Sequence, residues 1–135
     1  MRLDGWESRL HAVIEEARAR PYELGTWDCF RMALRTVEAL TGLDHWPQFE
    51  GRYRTRRQAV ALIAKYGSSF EAAFDAFFHE TSVGVRLASR GDIVALQTSD
   101  GEKHLGICLG VESVFLAPEG LIRIPTLTCL CAWKI

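Results

Sequence analysis

The hydrophobic period of this chain changes past its middle, and that change restricts the fold more than any other feature. Up to Phe78 the apolar residues recur three and four apart, whereas from Gly91 they alternate or run in short blocks. A spacing near 3.6 places apolar side chains on one stripe of a helix, and a spacing of two places them on one face of a strand. Helices followed by strands, rather than alternating with them, predict an α+β domain in which N-terminal helices pack on one side of a small antiparallel sheet. At 135 residues the chain has the size of one domain, spanning 1–135, that can bury a core without disulfide or metal staples.

In the helical half, Asp4-Gly-Trp-Glu7 has capping-box form, and Trp6, Leu10, Val13, Ile14 and Ala17 follow at helical spacing as far as Pro21. A second helix is expected from about Asp28, burying Phe30, Leu34, Val37 and Leu40 and stopping at Gly42. The stretch LDHWPQFEGRY reads as an ordered loop. Thr55-Arg-Arg-Gln58 opens a short helix to be ended by Gly67, and Ser68-Ser-Phe-Glu71 opens a fourth, whose Phe70, Phe74, Phe77 and Phe78 are assigned to the core. Beyond Gly91, GDIVALQ and HLGICLG are two strands around a turn at Ser99-Asp-Gly101. SVFLAPEGLIRIP is a strand, a turn and a return strand, and CLCAWKI a last strand.

The formal charge of −1 supplies no long electrostatic handle for nucleic acid, and the local GRYRTRR cluster reads as a solvated helix entrance. The N-terminal stretch carries acids throughout, so neither a signal peptide nor a membrane span is expected, and synthesis in a reducing cytoplasm is. Cys29, Cys108, Cys129 and Cys131 then read as free thiols. No metal is expected, because the close pair Cys129-x-Cys131 has neither a CxxC partner nor a nearby His.

Cys29 and His104 are the residues that could carry chemistry. Cys29 stands where a turn-like segment, YELGTWD, becomes an apolar helix. The unpaired N–H groups of a helix start favour a thiolate, and an adjacent imidazolium favours it further, which is what a nucleophilic cysteine needs. His104 shares its strand face with Gly106, Cys108 and Gly110, small residues that leave room for another backbone element. The Cys29 helix is expected to pack there and bring thiol and imidazole together. From pattern alone, Cys29 as a plain core residue and His104 as an ordinary strand residue remain open.

PYELGTWDCF, then SRGDIVAL, then HLGICLG, in that order, resemble the NlpC-type papain-like cysteine peptidases of bacterial cell-wall turnover. The ending CAWKI is similar to that of the short branch carried by phages and prophages among tail genes. The resemblance implies a papain-like fold with Cys29 as nucleophile and His104 as general base and later acid. Tyr22 would help bind the oxyanion or substrate, and Asp28 stands beside the nucleophile as a helix cap or a substrate-binding acid. It further implies cleavage of an amide bond in a peptidoglycan stem peptide without a cofactor, and a place in a phage or phage-like tail particle alongside tail proteins. In VFLAP, Leu116 occupies the position where the family places the polar residue that orients the imidazole. A backbone carbonyl, a water or a side chain such as Gln97 would then have to replace it. Three other readings follow: an inactive structural protein of the tail tip or its assembly, a thiol acyltransferase or amidase, and a metal-binding module through Cys108, Cys129 and Cys131.

Overall fold

Helices α1 (Trp6–Ala19), α2 (Cys29–Thr41), α3 (Arg56–Ile63) and α4 (Phe70–Phe78) precede strands β1 (Ile93–Gln97), β2 (Lys103–Cys108), β3 (Glu112–Ala117), β4 (Gly120–Pro125) and β5 (Cys131–Trp133). This is the order in a computed structural model that describes residues 1–135. The strands form one antiparallel sheet in the order β4-β3-β2-β1-β5. The change of period thus marks the passage from the helical layer to the sheet, and the α+β expectation holds.

The main core lies between the helices and one face of the sheet. Leu10, Val13 and Ile14 of α1 share one core with Leu34, Val37 and Leu40 of α2 and with Ile93, Leu105, Ile107 and Val114 of the sheet; α2 lies against β2 and β3, while α1 packs on α2 and reaches β4. Gly42 ends α2 with φ of 82°, a left-handed conformation that costs glycine little, and its N–H donates to the Glu38 carbonyl. Edge-on contacts of Phe30 with Phe49 and Phe74, at ring separations of 4.8 and 5.8 Å, fix the start of α2 against α4. Such pairs contribute about 1 kcal/mol each beyond their buried area. Phe74 and Phe77 are buried and Phe70 and Phe78 partly so, as expected of the stripe.

Local details differ from the sequence expectations. The start of α1 is not a capping box: Gly5 precedes the helix with φ of 72° and no side chain caps it. Tertiary tethers set that entrance instead, since the Leu3 N–H donates to the Leu40 carbonyl and Arg2 reaches Asp92. Ser69, not Ser68, caps α4, accepting from the Ala72 N–H. α3 stops at Ile63 and continues in tighter turns, and Gly67 serves packing: a Cβ there would stand 2.5 Å from the Ala73 nitrogen.

The small-residue face of β2 is also used differently. Helix α2 packs on the opposite face, that of Leu105 and Ile107. The space above Gly106 is filled by the ring of Phe115, which a Cβ would meet at 2.4 Å. Phe115 belongs to a smaller cluster with Val94, Cys108, Cys129 and Ala132 on the far side of the sheet. Cys131 lies in the main core. The three cysteines of the metal-module reading are therefore divided between two clusters.

Candidate active site

The segment before α2 is built to hold the helix start in place. Glu23 and Trp27 pair as a short bridge, and Gly25 sits between them with φ of 89°. A Cβ on Gly25 would fall 2.4 Å from the Tyr53 carbonyl oxygen, so both conformation and space require glycine. Asp28 is the N-cap: its Oδ1 accepts from the Arg31 N–H at 2.8 Å. Its Oδ2 accepts from the Gly25 N–H at 2.9 Å and from the Tyr53 hydroxyl at 2.7 Å. With 2 % exposure and three bonds, this carboxylate is committed to the turn. Cys29 follows as the first residue of α2.

Cys29 and His104, remote in sequence, line one cavity of about 650 Å³. Tyr22, Arg56 and Glu102 share its polar part, and Leu24, Phe30, Ile63, Phe70 and Phe74 form apolar wall. β2 brings the backbone of Leu105, the residue after His104, close enough to the sulfur for its amide to act on it. α3 contributes Arg56, whose guanidinium contacts the Glu102 carboxylate, while Oε2 of Glu102 lies 3.8 Å from Nε2 of His104. A half-buried thiol, an imidazole and a phenol thus meet at one end of an apolar trough.

A family model for a domain of unknown function (DUF6950) matches residues 1–135. The chain belongs to that family. No curated protein matches it. Among solved structures it is similar to the NlpC/p60 domain of the peptidoglycan hydrolase SagA, with a TM-score of 0.59 and 17 % identity over 95 % of this chain and 97 % of that one. At that identity the likeness establishes the fold, an NlpC/p60 papain-like one.

The electrostatics of the site depart from the thiolate expected at a helix start. Burial pushes the Cys29 thiol up to about 11 and the Asp28 carboxylate adds to the shift; the Leu105 amide, Arg56 and the Phe30 amide oppose it only in part. The cap reinforces the effect of burial, since Asp28 engages the helix-start amide of Arg31 and adds a negative charge beside the sulfur. Burial also holds His104 below the ordinary imidazole range, helped by Arg56 and opposed by Asp100. Burial, then Cys29 and Asp28, raise Tyr22. Both shifts favour the neutral thiol and the neutral imidazole over a thiolate–imidazolium pair.

Leu116 is buried in the main core at 4 % exposure and pairs with Leu121 across β3 and β4. Gln97 turns its amide to the Gly101 carbonyl at 3.3 Å, so it does not hold the imidazole. Reading the sequence missed three residues here. In the sequence Arg56 reads as part of a solvated basic cluster, although the Thr55 cap places it at a helix start. Tyr53 and Glu102 left no local signal, because their partners come from other elements.

Proposed function

We propose that the protein is a cysteine hydrolase that cleaves an amide bond in peptidoglycan stem peptides. The observation that carries this reading is the placement of Cys29, at the start of α2, in one cavity with His104. Its support from comparison is a fold similar to the NlpC/p60 domain of a peptidoglycan hydrolase. With a scissile carbonyl in the cavity, neutral His104 takes the thiol proton as the sulfur attacks the carbonyl carbon. The oxyanion accepts from the Cys29 N–H, one of the amides left free at a helix start, and from the Tyr22 hydroxyl. The imidazolium then protonates the leaving amine, and a water deprotonated by His104 releases the acyl group and restores the thiol. Carriage in a phage or phage-like tail, with tail proteins as partners, rests on the short-branch sequence resemblance.

Incubation with purified muropeptides followed by mass spectrometry tests the reading. Wild type is expected to yield shortened peptides with a new amine end, and Cys29→Ala none. A second reading, a structural protein that keeps the fold, is favoured by Leu116 at the orienting position and by the raised Cys29 thiol. The pH dependence of Cys29 alkylation by iodoacetamide separates the two. A hydrolase predicts labelling that rises toward alkaline pH and slows when His104 is replaced by Ala, whereas indifference to His104 supports the structural reading.

A further inference from the structure

An imidazole that must accept a proton from one partner works best when its other nitrogen is held, because the held nitrogen sets tautomer and ring orientation. In this fold the core claims position 116 and the hairpin turn claims Gln97. The group that does face His104 is Glu102. Its Oε2 stands 3.8 Å from Nε2 and is also the atom that Nη1 of Arg56 contacts. The turn holding it is pinned, since the Glu102 carbonyl accepts from the Thr98 N–H at 2.9 Å and the Glu102 N–H donates to Oδ1 of Asp100 at 3.0 Å. Neighbouring Lys103 is engaged elsewhere, with Glu71 of α4 at 2.8 Å.

We propose that Glu102, anchored by Arg56, is the positioning residue for His104, holding Nε2 so that Nδ1 takes the proton from Cys29. The inference rests on the hydrolase reading and assigns to the β1–β2 hairpin a task that no side chain of β3 performs. A separation of 3.8 Å becomes a hydrogen bond with a small side-chain rotation, and hydrogen bonds of this kind are commonly long before substrate binds. The guanidinium has its own part. Paired with Glu102, it offsets the carboxylate charge, so the imidazole is oriented without being trapped as imidazolium at rest. The remaining charged or titratable groups around His104 are Asp100 on the same hairpin, Lys103 with Glu71, Arg57 of α3, and Tyr22, Asp28 and Cys29 at the start of α2.

The test is an NMR titration of the His104 ring nitrogens in wild type, Glu102→Gln and Arg56→Gln. The two partners of the ion pair should act with opposite signs. Loss of the carboxylate leaves Arg56 alone beside the ring and lowers the His104 pKa; loss of the guanidinium frees the carboxylate and raises it. Those signs follow from charge alone, so the deciding readout is the tautomer of the neutral ring: the nitrogen shifts should place the proton on Nε2 in wild type and lose that preference in Glu102→Gln, and a tautomer that the substitution leaves unchanged overturns the proposal. Glu102 has a side chain 38 % exposed, so its substitution leaves the core intact. With muropeptide substrate, Glu102→Gln should lower kcat about tenfold at unchanged KM, with the acid limb of the pH profile following the NMR titration. If wild type cleaves no muropeptide, the hydrolase reading fails, while the titration still decides whether Glu102 holds the ring.

Discussion

Two aspartates are buried almost completely in this molecule, and the fold satisfies them in opposite ways. Asp92, just before β1, accepts from Arg2 at 3.0 Å and the Ile135 N–H at 3.0 Å on Oδ1, and from the Ser89 N–H at 2.7 Å and Lys134 at 2.6 Å on Oδ2. Two cations neutralise it, and it clamps residues near positions 1 and 135 to the same strand start. Asp28, just before α2, has neutral donors only: two backbone amides and the Tyr53 hydroxyl. Burial raises Cys29, Tyr22 and Tyr53, and the uncompensated Asp28 charge raises them further. The same side chain at the same depth makes a structural clamp where cations meet it, and an electrostatic setting for a thiol where they do not.

The largest effect should come from the clamp. Asp92→Ala leaves Arg2 and Lys134 without their shared partner and several donors unsatisfied, and should cost about 3 to 5 kcal/mol in urea unfolding. Cys29 alkylation should keep its pH profile in that variant. Tyr53→Phe removes one charge-assisted bond from Asp28 and should cost about 2 kcal/mol by the same measurement. Asp28→Asn can keep the capping oxygen but turns an NH2 toward the Gly25 N–H and the Tyr53 hydroxyl, so it should cost about 2 kcal/mol as well, and it should move the Cys29 alkylation profile to lower pH because the charge beside the sulfur is gone. An unmoved profile would break the contrast between the two aspartates.

Alkaline pH sharpens the same comparison. Unfolded thiols ionise near 9.0, whereas burial holds Cys29, Cys129 and Cys131 protonated up to about 11. Between those values the unfolded chain binds fewer protons than the folded one, so their contribution to stability is intact below pH 9 and is lost as pH rises through about 11. Unfolding free energies measured across that window should fall, and Asp28→Asn should narrow the window for Cys29.

Elements whose cause lies within a few residues were legible without coordinates. Gly42 stopping α2, Asp28 capping it and Thr55 capping α3 all follow from backbone groups that a neighbouring side chain or a left-handed glycine can satisfy. The candidate site was legible as the pair Cys29 and His104, and the structure places both on one cavity. Their meeting has another cause than the small face of β2, which receives Phe115 while α2 lies on the Leu105 face. A row of small residues says that something comes close, but not which element or from which side.

The sequence by itself determined the kind and order of the elements, because hydrophobic period, caps and turns act over distances shorter than one element. Only the tertiary structure decided what surrounds the thiol. Tyr53 on Asp28, Arg56 on Glu102 and Glu102 beside His104 are meetings of side chains from different elements, set by how α3 and the β1–β2 hairpin close over the start of α2. Charge, burial and proton affinity at Cys29 depend on those meetings, since desolvation and Coulomb terms are properties of a neighbourhood in space.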